Sequence, residues 1–337
     1  MTLSRVSAPT MNMAKKAIRA ADELQQRHAW LAVPVAVWKK FGDDDAGNLA
    51  ALIAYYAFVA IFPLLLVLVT VGNIVLKNDP ALQHRLLNSA LAQYPVIGPQ
   101  LSHIGPLHQT GVALIVGLVG TFFGARGVAT AVQNALNTVW EIPISRRPGF
   151  PWSWLRSFGL ILAVGLGLIG TTVLSTIASG AGRVLSGFGA SLATLVASLV
   201  LNIGLFWLAF RLGTAREVSW RQLRLSAVIG AVIWQVLQTF GGYFVAHQLA
   251  HSSSLYGTFA IVLGLIAWLY LEAELTLYAV EINVVLTHRL WPRSVAPPPY
   301  TEPDRRAFEL YARLQQRKGM DIVVEVGGED DREKTSG

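Results

Sequence analysis

Long apolar runs, separated by short polar connections, dominate the pattern of hydrophobic and polar positions along the chain. Six of these runs are long enough for a membrane-spanning helix, which needs about 20 residues at a rise of about 1.5 Å each. They cover residues 49–76, a stretch from 111 past 123, residues 158–177, a part of 188–210, residues 225–245 and residues 257–285. Because an open sheet edge cannot face lipid, the pattern predicts an all-α integral membrane protein with six transmembrane helices.

The membrane domain is predicted at residues 49–285, with a polar segment on each side of it. Residues 1–48 form an N-terminal segment whose stretch 15–40 carries spaced apolar anchors, typical of an interfacial helix interrupted at Pro34. The acidic run 43–45 is expected to cap the first span, since carboxylates favour a helix N-terminus. Residues 286–337 contain three consecutive prolines, a short amphipathic stretch with Phe308, Tyr311 and Leu314, and a polar end, so we expect a largely disordered tail.

The distribution of lysine and arginine predicts the orientation of the spans. Of the 27 basic residues, 24 lie in the N-terminal segment, around the connections that follow the second and fourth runs, and in the tail; the alternate loops hold three. Because positive residues concentrate on the cytoplasmic side, both termini are expected there. The net charge of +7 then forms a collar at the membrane surface. Its expected partners are membrane lipids with anionic headgroups, and no nucleic acid.

Composition narrows the classes of protein that fit. Hydrophobic residues make up 53% of the chain and charged residues only 14%, against about 25% in a soluble domain. Between residues 80 and 301 the acidic residues are Glu141, Glu217, Glu272, Glu274 and Glu281. The chain has no cysteine, which excludes disulfides and thiolate metal sites. No metal, cofactor or catalytic residue is predicted.

The second apolar run continues into an amphipathic stretch whose polar side carries Asn134 and Asn137. Residues 111–140 would measure about 45 Å as one straight helix, so we expect an elbow near Gly124 and Gly127. Two interpretations remain open for Arg126 between these glycines. It either extends to lipid headgroups from an interfacial elbow or binds an anionic group in a polar cavity.

Pro63 and the acidic residues of the last run are the other departures from a plain helical bundle. Pro63 predicts a bend in the first span, either a structural kink or a gating hinge. Glu274 and Glu281 are seven residues apart and therefore share a helix face. A carboxylate at membrane depth is expensive and usually faces the protein interior. These residues are either part of a substrate or ion pathway or a structural buried pair.

Three sequence blocks stand out along the chain: AALIAYY (50–56) with IFPLL (61–65), GARG (124–127) with NALN (134–137), and SLYGTFA (254–260) with EIN (281–283). Together they resemble the blocks of the YihY/BrkB membrane protein family, and within it those of the YhjD-like branch. The resemblance adds Asn283 to the candidate pathway residues. It also brings an old label, ribonuclease BN-like, although nucleases commonly assemble carboxylates or histidines around metal ions and no polar domain here could host them.

These observations favour a non-enzymatic, multi-pass protein of the bacterial inner (plasma) membrane that transports or flips an envelope lipid or a small solute. The expected pathway comprises Arg126, Asn134, Asn137, Glu274, Glu281 and Asn283, with Pro63, Gly124 and Gly127 as candidate hinges. The alternative is a structural or scaffolding protein of the cell envelope. Gly165, Gly167 and Gly170 in the third span would allow close helix packing within the chain or in a homo-oligomer.

Overall fold

The computed structural model is helical throughout the part of the chain that it describes, which is residues 8–75, 111–181, 188–248 and 257–323 without 296, 298, 299 and 318. Nine α-helices and one short 3₁₀ turn, Ile144–Arg146, occur in these ranges. The helices are α1 (Ala8–Arg27), α2 (Ala29–Asp43), α3 (Ala46–Val75), α4 (Gly111–Val139), α5 (Trp152–Ala181), α6 (Phe188–Gly213), α7 (Arg224–Gln248), α8 (Gly257–His288) and α9 (Glu302–Leu314). The predicted all-α class is confirmed for these residues.

A helix occupies each of the six positions at which the apolar pattern predicts a span, namely α3 to α8. Within the described ranges, two segments are long and apolar enough to cross a membrane, Leu192–Gly213 in α6 and Val262–His288 in α8. Ala46–Ile61 is a shorter apolar segment of the same kind. The number of crossings and the cytoplasmic location of the termini stay predictions.

The chain divides into two compact units, and the larger one comprises residues 46–137 and 148–279. In this unit α5 packs on α6, and α6 packs on α7. Helices α3 and α8 share a buried apolar cluster of Ala54, Ile61, Leu265, Trp268 and Leu269. Between helices that face lipid, close van der Waals packing of such side chains stabilises the contact.

The glycines of α4 allow this helix to approach α3 closely. A Cβ atom at Gly124 would lie 2.9 Å from the Cα and Cβ atoms of Ala60, and one at Gly127 would overlap the ring of Tyr56. Helix α4 runs without interruption through both glycines to Val139. Close packing therefore accounts for these glycines without a break in the helix. Pro63 likewise lies inside the continuous helix α3.

The smaller unit comprises residues 1–45, 138–147 and 280–337. Its described part contains α1, α2, the turn after α4, the final residues of α8, and α9. Thr301 begins α9 with a capping box, because its hydroxyl accepts from the amide N–H of Asp304 while the Asp304 carboxylate accepts from the amide of Thr301. Leu290, Arg293, Ser294 and Asp304 are buried.

This folded segment differs from the expected largely disordered tail in residues 290–317. The sequence prediction rested on the prolines and the polar composition. It did not include the buried ion pairs of Asp304 that hold the segment, which are described below. Residues 324–337 lie outside the described ranges, as do the connections at 76–110, 182–187 and 249–256.

Candidate functional site

Lys40 is the centre of a buried ionic cluster in the smaller unit, which we call the Lys40 cluster. Its ammonium nitrogen lies 2.6 Å from Oδ2 of Asp44, 3.1 Å from Oε1 of Glu141 and 3.5 Å from Oε2 of Glu281. The same nitrogen donates a hydrogen bond of 3.1 Å to the carbonyl oxygen of Val139. The side chains of Lys40, Asp44 and Glu281 have no exposed surface, and that of Glu141 is 1% exposed.

Three parts of the unit position these side chains. Lys40 and Asp44 are four residues apart at the end of α2, where such a spacing puts an opposite-charge pair on one face. Glu141 follows α4 in a turn closed by its own amide, which donates to the carbonyl of Thr138 at 2.8 Å. Its φ of 55° lies in the left-handed region, which residues other than glycine seldom occupy. Glu281 comes from the end of α8.

The cluster contains more negative than positive groups. Three ionised carboxylates and one ammonium would leave a formal charge of −2 in a region without solvent contact, and a buried charge must be compensated or neutralised. The oxygens of Glu141 and Glu281 accept no hydrogen bond of good geometry from any described residue. Protonation of one or more carboxyl groups is the direct way to remove this excess charge.

The pKa values of the groups outside the candidate spans agree with this reasoning. Burial raises the pKa of Glu141 to about 7, although the positive charge of Lys40 opposes the shift. Burial also raises the pKa of Asp44, again against Lys40. Burial alone would lower the pKa of Lys40, but the charges of Glu281, Glu141 and Asp44 outweigh it and raise it well above its ordinary value. Lys40 is therefore charged, and Glu141 is the carboxyl group that exchanges a proton near neutral pH.

An aromatic ring contacts the cluster, and two further rings from residues next to its segments pack on each other. The ring of Tyr311 lies 5.7 Å from the Lys40 nitrogen, a cation–π arrangement. The rings of Trp140 and His288 meet edge to face at 6.0 Å. Low local polarity strengthens the attraction between Lys40 and its carboxylates, and it also increases the free energy of leaving any of them unpaired.

A second ionic network centres on Arg293 in the same unit. Its Nε donates to Asp304 at 2.9 Å and its Nη1 to Asp43 at 2.7 Å. Lys39 also pairs with Asp304 at 3.0 Å. Burial alone would raise the pKa of Asp304, but hydrogen bonds from Ser294, Thr301, Arg293 and Lys39 lower it to about 2. Asp304 therefore stays ionised down to acidic pH.

Two members of the acidic run 43–45 form ion pairs within the smaller unit. The carboxylate of Asp43 pairs with Arg293, and that of Asp44 pairs with Lys40. Asp22 extends the same contacts, since it accepts from the Ser294 hydroxyl at 3.0 Å and the Val295 amide at 2.9 Å. These acids connect the N-terminal helices to the segment after α8.

The predicted pathway residues of α8 have different surroundings. Glu281 belongs to the Lys40 cluster and is fully buried, whereas Glu274 is half-buried and lies in the larger unit. Asn283 is buried, and its Oδ1 accepts a hydrogen bond of 3.2 Å from the hydroxyl of Thr287. The structure therefore brings Glu281, but not Glu274, into the ionic cluster.

The predicted residues of α4 lie in the larger unit. The guanidinium of Arg126 lies 4.0 Å from the ring centre of Trp154, a close cation–π contact. Asn137 is buried and accepts from the amide of Ala215 at 2.8 Å, while its own amide donates to Gln133 at 2.6 Å and to Gly213 at 3.4 Å. Asn137 thereby fixes the connection after α6. Asn134 is exposed.

Sequence reasoning missed Lys40, Asp44 and Glu141 as members of one site. One available signal was that Glu141 is among only five acids between residues 80 and 301. Another was the four-residue spacing of Lys40 and Asp44. Nothing local shows that these residues meet, because Lys40 and Val139 are 99 positions apart. No group of three histidine or acidic side chains in the described ranges is placed to hold a metal ion.

The helical architecture and the two long apolar segments fit a helical membrane protein by length and composition. The family follows from sequence comparison. The family model described as Virulence factor BrkB matches residues 37–302, and the chain belongs to this family. This confirms the YihY/BrkB resemblance, and the matched range includes all four residues of the Lys40 cluster.

Relatives in the same family are named as membrane proteins. The inner membrane protein YhjD of Escherichia coli K12 is 23% identical over 288 residues, which cover 80% of this chain and 85% of YhjD. The UPF0761 membrane protein RSc1559 of Ralstonia nicotianae is 24% identical, but the match spans only 57% of its length and 74% of this chain. The putative ribonuclease-like protein YfkH of Bacillus subtilis is 25% identical, over 75% of this chain and 94% of YfkH. No solved structure matches the chain.

Proposed function

We propose that this protein is a six-span inner-membrane transporter that moves or flips an anionic envelope lipid or a small solute, with proton exchange at the Lys40 cluster controlling the movement. The observation that carries the proposal is the burial of three carboxyl groups around one ammonium. A cluster with this stoichiometry changes charge when it gains or loses a proton. Such a change is the elementary step of proton coupling in a membrane.

The chemistry of the cluster explains how a proton could control its geometry. With one carboxyl group protonated, the remaining negative charge around Lys40 is smaller and the buried arrangement is more stable. With all three ionised, mutual repulsion between the carboxylates favours separation of the segments that carry them. Those segments are the end of α2, the turn after α4 and the end of α8. Proton loss would thus favour opening at the end of α8 predicted to face the cytoplasm.

Arg126 supplies a candidate contact for an anionic substrate. Its guanidinium lies over the Trp154 ring, and no carboxylate of the described residues lies within 4 Å of it. An aromatic ring beside an arginine suits the headgroup level of a bilayer. Arg126 is therefore the second residue whose replacement tests the proposal.

Reconstituted vesicles provide the test. The full-length protein would be incorporated into phosphatidylethanolamine–phosphatidylglycerol vesicles with a fluorescent phosphatidylglycerol, and lipid movement measured by dithionite quenching with and without a pH gradient. A parallel assay would follow uptake of small organic anions. We expect faster movement of one probe than in protein-free vesicles, acceleration by the gradient, and loss of both with Glu281→Gln or Arg126→Ala.

Glu302→Gln is the matched control, because this carboxylate is 73% exposed on α9 and outside the cluster. It should transport like the wild type. If Glu281→Gln and Arg126→Ala both transport normally, the site assignment is wrong. If no lipid or anion moves faster than in empty vesicles, the transport proposal fails and a scaffolding role becomes the better account. Deleting the tail past Arg289 would then abolish envelope function while Arg126→Ala would not.

A further inference from the structure

Three arginines meet where α5 begins and α6 ends in the larger unit. Arg156 lies in the first turns of α5, Arg211 in the last turn of α6, and Arg216 in the connection that follows. The Arg156 Nη1 donates to the carbonyl of Thr214 at 3.0 Å, which places it against that connection. Arg211 Nη1 lies 3.5 Å from the carbonyl oxygens of Ala215 and Val218. We call these residues the arginine triad.

The triad carries positive charge that the described residues do not neutralise. No carboxylate of the described ranges lies within 4.0 Å of any of the three guanidinium groups. Burial lowers the pKa of Arg156, and the charges of Arg211 and Arg216 lower it further, while Glu217 acts in the opposite direction. Arg156 is therefore close enough to both Arg211 and Arg216 to be repelled by them. An anion bound among them would relieve this repulsion.

Most of the donors of the triad remain available to a ligand. A guanidinium has five N–H donors in a fork that matches the oxygens of a phosphate. Arg156 and Arg211 use one nitrogen each in the contacts above. Arg216 is exposed, and its recorded contact is with the face of the Trp152 ring at 5.5 Å.

Exposed aromatic rings indicate the source of the anion. Trp152 is 56% exposed and Trp220 is 45% exposed, and the Arg211 guanidinium lies 5.6 Å from the Trp220 ring. The Trp207 indole N–H donates to the carbonyl of Trp220 at 2.8 Å and holds this ring beside the end of α6. The apolar segment Leu192–Gly213 ends at the same connection. Tryptophan and arginine at the end of an apolar helix are typical of the headgroup level of a bilayer.

We propose that the arginine triad is a binding site for the phosphate of an anionic phospholipid headgroup, with Trp152 and Trp220 at its apolar border. The arginine forks contact the phosphate oxygens, and the tryptophan rings contact the adjoining glycerol and acyl region. The site is separate from the Lys40 cluster and does not depend on the proposed transport function. A protein that moves nothing across the membrane would still bind lipid here.

Native mass spectrometry of the full-length protein in mild detergent tests the site. The probes are phosphatidylglycerol, phosphatidylcholine and inorganic phosphate, each titrated against the wild type and against Arg156→Gln/Arg211→Gln/Arg216→Gln. We expect phosphatidylglycerol to bind more tightly than phosphatidylcholine, and the triple variant to bind it roughly tenfold more weakly, since several charge-assisted contacts are lost. Inorganic phosphate at the same concentration should not displace the lipid.

The control is Arg305→Gln/Arg306→Gln/Arg313→Gln, which removes the same charge from exposed positions on α9. Arg216→Gln alone provides a variant that leaves the carbonyl contacts of Arg156 and Arg211 intact, and it should also weaken lipid binding. Arg216→Lys should restore it in part, because the charge remains without the fork. If the α9 control lost as much phosphatidylglycerol binding as the triad variant, the proposed site would be wrong, because the effect would then come from the overall charge of the protein. Unchanged binding in Arg216→Gln, equal binding of phosphatidylcholine, or displacement by free phosphate would overturn it as well.

Discussion

Replacing Glu141 by glutamine should stabilise the protein at alkaline pH. Glutamine has nearly the shape of a protonated glutamic acid but cannot ionise. In the fold, burial raises the pKa of Glu141 to about 7 from the ordinary 4.5. The folded state therefore binds more protons than the unfolded state between these two values. The contribution of Glu141 to the free energy of unfolding of the wild type is greatest below pH 4.5. It falls as the pH rises from 4.5 to 7 and stays constant at higher pH.

The size of the effect follows from the same shift. One pKa unit corresponds to about 1.4 kcal/mol, so ionised Glu141 destabilises the fold by about 3 kcal/mol relative to its protonated form. The variant avoids this penalty. Near pH 5 it should be more stable than the wild type by less than about 1 kcal/mol, and at pH 8 by up to about 3 kcal/mol. The difference between the two proteins should therefore grow steadily between pH 5 and 7.

Thermal unfolding in detergent, followed by the fluorescence of the 10 tryptophans, measures this difference. The wild type, Glu141→Gln and the exposed control Glu302→Gln would be compared at intervals from pH 5 to pH 8. Asp304 has a pKa of about 2 and stays ionised between pH 5 and pH 8, so its contribution to stability is the same in all three proteins. A difference in Tm that does not change with pH, or a Glu141→Gln variant less stable than the wild type at pH 8, would refute the reasoning.

Three further replacements test the packing and the ion pairs. Lys40→Met should destabilise the fold by about 3–5 kcal/mol because it leaves buried carboxylates without a counter-ion, and the loss should be larger at pH 8 than at pH 5 in the same unfolding assay. Arg293→Ala should loosen the segment after α8, because Asp43 loses its ion pair and Asp304 keeps only the one with Lys39, which limited proteolysis would detect as faster cleavage near residues 290–300 than in the wild type. Gly127→Ala should lower stability by about 1–3 kcal/mol through overlap with the Tyr56 ring, and adding Tyr56→Ala should recover part of it; equal stability of Gly127→Ala and the wild type would contradict the close contact.

The helices were predictable because their signal is local. Uninterrupted apolar runs specify α3 to α8, and the observed helix bounds lie close to the predicted spans. The glycines of α4 were also visible in the sequence, but their role was not. The same glycines that predict an elbow also lack the side chains that would keep Ala60 and Tyr56 of α3 away from α4. Only the position of the neighbouring helix distinguishes these two uses.

Of the four residues in the Lys40 cluster, only Glu281 of α8 could be predicted from the sequence as a site residue. Glu281 stands out because a carboxylate in an apolar run is expensive. Lys40 did not stand out, since a lysine near the end of an interfacial helix normally reaches solvent. Its burial depends on Glu141 and Glu281, about 100 and 240 positions away along the chain. Such contacts leave no periodic trace in the sequence.

The Lys40 cluster is expected to hold a proton near neutral pH. Infrared spectroscopy can test this, because it detects protonated carboxyl groups. The absorption of protonated carboxyl groups would be titrated between pH 5 and 9 in the wild type and in Glu141→Gln, and the two series subtracted. The account predicts a protonated carboxyl signal in the difference that disappears around pH 7. A difference without such a signal across this range would show that Glu141 is already ionised at pH 5 and would contradict the account.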